Sequence, residues 1–418
     1  MPKPFIAVSS SCGPDASTSQ LHNPLRPIPI RFVAETVRGK RTLSRLRAGD
    51  WVQVRTREEI LATLDEHGRL DGMPFMPEML ADCGRTLRVF KRAHKTCDTI
   101  CQSGGRKLAR TVHLLDSRCD GSAHGGCEAA CSLFWNEAWL TPAIAADAST
   151  SPPRIESEPQ GAARGCSLEQ LVAATRQGHD AEKGPRYACQ ATEYLDATQR
   201  LSPYDPRQYI EDYRSGNVDV ATLFRGAVYL VGTFLMRAGK FVGRRIGLGD
   251  VLAKAVMASY DALQLMLPNP VPFPRRQGTI PNGQPTPQLG IGELRPGSWV
   301  RVKSYREILA TLDSNNKTRG LYFDAEHVPY CGKEFRVRSL VNQIIDERTG
   351  YMLRFKTPSI ILDSAYCQGT YSNNRMYCPR AIYPYWRAVW LNPVEHDPFR
   401  DATTAQESGA VEGGRARA

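Results

Sequence analysis

LRAGDWVQVR, residues 46–55, returns as LRPGSWVRVK, residues 294–303. The two copies then stay in register at an offset of 248. Glu59–Asp65 (EILATLD) matches Glu307–Asp313, Phe75 matches Phe323, Cys83-Gly84 matches Cys331-Gly332, and Arg88-Val89 matches Arg336-Val337. Farther on, Cys119-Asp120-Gly121 meets Cys367-Gln368-Gly369. After a three-residue insertion, Cys127 meets Cys378, Trp135 meets Trp386 and Trp139 meets Trp390. Nearly half of the aligned positions in these blocks are identical, which makes the chain an internal duplication of a roughly 95-residue unit.

Each copy predicts the same local structure. A turn at Gly49 or Gly297 leads into an alternating strand, Trp51-Val52-Gln53-Val54 or its counterpart. Thr56-x-x-Glu59 and Ser304-x-x-Glu307 are capping boxes, in which hydroxyl and carboxylate each take an orphan backbone N–H of a following helix. Ile60, Leu61 and Leu64 give that helix its apolar stripe. Further strands are expected around 87–91, 111–115 and 133–140. The last puts Trp135 and Trp139 on one face, as core residues.

The opening L-R-x-G-x-W-V-x-V resembles the first strand of small SH3-like barrels. Over its full length, on the pieces HKTCDT, RCDGSAHGGC, CPRAIYPYW and DPRQYIEDYRSGNV, the chain resembles an uncharacterised bacterial protein family with two internal SH3-like repeats. That resemblance implies no activity. The fold class expected is α+β, with two related small β-barrel (SH3-like) units, each with an inserted helix, flanking an all-α middle domain.

The chain of 418 residues has room for several domains. Seven segments are expected: a disordered, basic N-terminal arm (1–45), the first β-rich repeat with its cysteine cluster (46–140) and a linker (141–165). A helical domain (166–267), a Pro-rich linker (268–291), the second β-rich repeat (292–393) and a disordered tail (394–418) follow. In the middle, Ser167-x-x-Gln170 and Asp205-Pro206 mark helix starts, Gly216 a stop and Asp219 a further cap. The longest apolar run, 226–236, is shorter than a bilayer needs; the helix it predicts is expected to be buried between domains, the alternative being a membrane-surface helix followed by Arg237, Lys240, Arg244 and Arg245. Without an h-region near the N-terminus, a cytoplasmic location is expected, and its twelve cysteines are expected as thiols or metal ligands.

Five of those cysteines, Cys97, Cys101, Cys119, Cys127 and Cys131, crowd into residues 97–131 with His113 and His124, and His94 stands just before. Thiolates are soft anionic donors, and a structural site wants four of them from two pieces of chain. The expected metal ligands are Cys97, Cys119, Cys127 and Cys131, with Cys101, His124 and His94 in reserve. Glycines 121, 125 and 126 let the chain turn round an ion and free N–H groups to bond sulfur. The cofactor expected is zinc or a [4Fe–4S] cluster. The second copy keeps Cys367 and Cys378 but carries Ile382 in place of Cys131, so it should not hold the same site.

No nucleotide-binding loop, dinucleotide fingerprint, zincin, nucleophile-elbow or EF-hand pattern occurs. The net charge of +11 favours anionic partners. The run Arg85, Arg88, Lys91, Arg92, Lys95, Arg106, Lys107 and Arg110 offers a basic face for a protein or, less favoured, nucleic acid. The expected function is a metal-binding accessory or scaffold protein; the alternatives are a metalloenzyme with an iron–sulfur cluster or open zinc site, and a nucleic-acid-binding protein.

Overall fold

A computed structural model describes residues 45–144, 165–246 and 249–395, with only the backbone at 240 and 242–246. Nearly all of the expected N-terminal arm, most of the first linker and nearly all of the tail lie outside these residues.

The first copy is built on Trp51–Val54 (β1), whose alternation buries Val52 and Val54. Thr56 and Glu59 exchange hydrogen bonds at the start of Arg57–Leu61 (α1), forming the expected capping box. A small hairpin, Arg69–Leu70 (β2) with Met73–Pro74 (β3), precedes Thr86–Arg92 (β4). Lys95–Cys97 (β5) and Gly105–Lys107 (β6) pair with each other. Thr111–Leu114 (β7), Trp135–Asn136 (β8) and Leu140–Pro142 (β9) complete a five-stranded sheet in the order β8-β7-β4-β1-β9. Its adjacent pairs are antiparallel, with Trp51 opposite Arg88 and Val54 opposite Leu140.

The middle region is not all-helical. Leu168–Ala173 (α2) carries the expected Ser167–Gln170 capping box, but Arg176–Asp180 (β10) and Gly184–Tyr187 (β11) then form a hairpin. After Gln190–Glu193 (α3), Gln199–Leu201 (β12) adds to the edge of β6, Arg200 opposite Arg106. The β5–β6 hairpin has an open row of backbone donors and acceptors, and β12 covers it. These strands are short and mostly polar, so apolar periodicity passed over them. Helices dominate only from Arg207–Arg214 (α4) through Val220–Ile246 (α5) and Gly249–Gln264 (α6).

Among the described residues one helix, the Val220–Gly239 part of α5, reaches the length and apolar composition of a membrane span, and only marginally, in keeping with the expected lack of a transmembrane segment. One side packs into the second copy through Tyr229 and Met236. Phe224, Val231 and Phe234 are exposed, so the helix is only partly buried. The Pro-rich stretch after it is no free linker: Val271 and Phe273 are buried, and Ile280 bridges to Asp313.

The second copy repeats the first. Trp299–Val302 (β13) is followed by Tyr305–Leu309 (α7), again capped by a Ser304–Glu307 box. Lys317–Thr318 (β14) and Leu321–Tyr322 (β15) form the small hairpin. Glu334–Ile345 (β16) and Met352–Leu362 (β17) make a long one, and Leu391–Pro393 (β18) closes the order β17-β16-β13-β18.

The cores match closely. Phe75 meets Trp135 and Trp139 edge-on at 6.1 and 5.2 Å, and the two indoles are 6.4 Å apart. Phe323, Trp386 and Trp390 repeat this at 6.3, 5.2 and 6.4 Å. Trp139 and Trp390 each donate Nε1–H to a threonine hydroxyl, Thr63 and Thr311. Trp135 donates to Ser117, which in turn donates to Asp82; the copy has Ala365 and Tyr330 there, and Trp386 Nε1 has no partner among the described residues.

The copies also grip each other reciprocally. Ile345, on the β16–β17 hairpin, gives its backbone N–H to Cys127 of the first copy; its counterpart Cys97 meets Cys378, the counterpart of Cys127. Phe90 stacks edge-on against Tyr366, while their counterparts Arg338 and Arg118 feel each other's charge. Two contacts join a residue to its own counterpart, Thr99 to Glu347 and the Ile100 carbonyl to Arg348, each across 248 positions. Residues that contact their own counterparts lie on an approximate two-fold axis, as in an isologous dimer interface.

Candidate functional site

The cysteine loop of each copy is built over a buried carboxylate. Glu78 accepts from the backbone N–H of Ala123 at 3.1 Å and lies 2.6 Å from Nδ1 of His124. Its counterpart Glu326 accepts from Tyr371 N–H at 2.6 Å and from the Ser372 hydroxyl at 3.1 Å. Cys119 N–H donates to the Cys131 carbonyl, and Cys367 N–H donates to Ile382, the residue at the equivalent place. Gly121 and Gly369 turn the loops at φ +73° and +69°; a Cβ on Gly121 would stand 2.1 Å from the Cys127 carbonyl oxygen. The glutamates match at the 248 offset, but no motif in the sequence marks them as functional.

Where the first loop meets the β16–β17 hairpin there is a cavity of about 460 Å³. Glu128 accepts from Asn342 and Gln343 N–H, and Gln343 donates to the carbonyls of Gly125 and Gly126. Four cysteines line the cavity: Cys119, Cys127, Cys131 and Cys189, all free thiols. Burial pushes Cys131 and Cys189 up to about 12 and raises Cys119 and Cys127 as well. Backbone N–H groups oppose it on three of them: Gly121 at Cys119, Ile345 and Ala129 at Cys127, Thr192 and Ala191 at Cys189. Among the described residues no three His, Cys, Asp or Glu side chains converge tightly enough for a single metal ion.

Three of the four expected ligands therefore share one cavity, and Cys97 does not. It sits on β5, which the reciprocal packing carries to the other copy, beside Cys378 and near Cys367. A hydrogen bond between the two thiols lowers Cys378 against the pull of burial and raises Cys97. The position in the first cavity belongs instead to Cys189, which opens α3 in the middle region. No spacing rule ties Cys189 to Cys131, so their meeting is not legible in the sequence.

The reserves are otherwise engaged. Cys101 is disulfide-bonded and offers no thiolate. His124 has Nδ1 at Glu78 and Nε2 3.0 Å from the Ala188 carbonyl. His94 lies 3.2 Å from Asp212, away from the cavity. His113 is wholly buried, and burial lowers it to about 3.

Arg380 lies between the two thiol groups. Burial opposes its charge, but the Glu347 carboxylate beside it holds it protonated. It donates to Thr99 at 2.9 Å and Glu347 at 3.0 Å. The counterpart of this arginine is Ala129, so the charge breaks the two-fold symmetry.

Half of the expected basic face is consumed inside the fold. Lys95 is buried against Asp212 at 2.6 Å, Arg92 against Glu137 at 2.8 Å, and Arg106 bonds Thr198. Burial lowers Lys91. Arg85, Arg88, Lys107 and Arg110 remain exposed.

Comparison with known protein families, with curated proteins and with solved structures finds no match to this chain.

Proposed function

We propose that the chain is a metal-cluster-binding protein whose cavity between the copies takes a [4Fe–4S]-type cluster on Cys119, Cys127, Cys131 and Cys189. Four free thiols round one cavity carry this reading. Thiols set round a space, rather than converging on a point, suit a polynuclear cluster better than one tetrahedral zinc. The N–H groups aimed at Cys119, Cys127 and Cys189 favour it too, because such bonds stabilise thiolate charge and tune cluster potential. Binding displaces the thiol protons and couples cluster assembly to the grip of one copy on the other. We read the copies themselves as SH3-like units, from the short antiparallel strands and the capped helix after the first of them.

The test is metal and sulfide analysis with visible absorption on protein purified without oxygen, comparing wild type, Cys189→Ser and Cys97→Ser. Iron, sulfide and broad absorbance in wild type and Cys97→Ser, all lost in Cys189→Ser, is the expected pattern. Dependence on Cys97 but not Cys189 would return the site to the ligand set read from the sequence. Wild type with one zinc and no colour would mean a mononuclear site, and wild type without metal would end the proposal.

A further inference from the structure

A second cavity, about 560 Å³, shares two wall residues with the first, Thr99 and Gln102. Its volume is that of a small-molecule site. Three arginines reach it from three parts of the chain: Arg237 on α5, Arg275 on the Pro-rich segment and Arg375 on the cysteine loop of the second copy.

The charges on its wall are unevenly spent. Asp98 accepts from the N–H groups of Cys101 and Ser103 and from the hydroxyls of Ser103 and Tyr194. Asp324 accepts from the Glu326 N–H and caps the turn it begins. Arg275 is fixed by Tyr229 Oη at 2.5 Å and the Tyr371 carbonyl at 2.7 Å, which orients its fork. The guanidinium groups of Arg237 and Arg375 make no hydrogen bond or ion pair among the described residues. Arg375 is nonetheless partly buried. A partly buried guanidinium with donors to spare, in a cavity with two others, matches the forked geometry of a carboxylate or phosphate. On the same wall Asn373 Oδ1 is buried without a hydrogen-bond partner among the described residues, so a ligand filling the cavity would also meet an acceptor.

We propose that this cavity binds a small oxyanion, a phosphate- or carboxylate-bearing molecule with a hydroxyl or N–H donor beside its anionic group, held by Arg237, Arg275 and Arg375. Thr99 and Gln102 form the partition, so the ligand would lie wall to wall with the four-thiol cavity. The site stands on its own arginines and needs no metal.

The experiment is calorimetric titration of the full chain, free of metal, with pyrophosphate and separately with citrate. Binding of one and not the other identifies the oxyanion class. Arg237→Ala removes an exposed side chain that no packing depends on, and should weaken binding about tenfold; Arg375→Gln should weaken it at least as much. Lys107→Ala, an exposed charge elsewhere, should leave it unchanged. No binding of either probe would overturn the proposal. So would binding that Arg237→Ala leaves intact, or that Lys107→Ala weakens equally. Loss of cluster in Cys189→Ser has no bearing on this titration, so the two readings fail separately.

Discussion

Replacing Glu326 by glutamine tests the electrostatics of the loop platform directly. The carboxyl is 3 % exposed; burial first, then the charge of Asp324, raises it from the ordinary 4.5 to about 7. Oε1 accepts from Tyr371 and Ser372, and Oε2 has no hydrogen-bond partner among the described residues. The folded chain thus holds this proton more tightly than the unfolded chain does. The stability it contributes is complete below pH 4.5 and is lost as pH rises through 7. At 1.36 kcal/mol per pH unit the difference comes to about 3 kcal/mol. Glutamine keeps the accepting oxygen and cannot ionise. In urea titrations followed by tryptophan fluorescence, Glu326→Gln should match wild type near pH 4.5. It should gain on wild type by about 3 kcal/mol by pH 8. A gap between the two proteins that does not change with pH would refute the reasoning, because Glu326 would then ionise equally in both states.

Three further outcomes follow from the same geometry. Ser117→Ala strips Trp135 Nε1 of its acceptor and Asp82 of a donor, and should cost about 2 kcal/mol in urea unfolding. Gly121→Ala forces a side chain into φ +73° and against Cys127; beyond about 1–3 kcal/mol of strain the clash should abolish metal loading, whereas Gly178→Ala, at φ +137° but with nothing within 4 Å among the described residues, shares the backbone strain without the clash and should leave loading intact. Arg380→Leu leaves Glu347 without its cation between the copies and should lower stability by about 3 kcal/mol or more, read as a drop in melting temperature.

Much of the fold lay open in the sequence because duplication doubles every local signal. The strands at Trp51 and Trp299, the two capping boxes and the aromatic trios all stand where repeated patterns put them. What escaped was non-local. Cys97 lies near Cys119 in sequence, yet the hairpin that carries it packs on the other copy. Cys189 belongs to a stretch whose short strands carry no apolar rhythm. The basic run looked like a surface because Asp212, Glu137 and Thr198, which neutralise or bond it, arrive from farther along the chain. Sequence spacing finds ligands that share a loop; it does not find those that tertiary exchange brings together.

The reciprocal grip of the two copies has a consequence for how such a site arises. Two identical chains meeting across that axis would assemble only above some concentration, and every change in one would appear in the other. Joined in one polypeptide, the halves meet at any dilution and are free to drift apart. A single arginine can then occupy a place near the axis that a true dimer would have to fill twice, and Arg380 with Ala129 as its counterpart does so. One cavity is now lined by four thiols, and the one beside it by three arginines. Tandem fusion here is a route from two equivalent mouths to two unlike chambers sharing a wall.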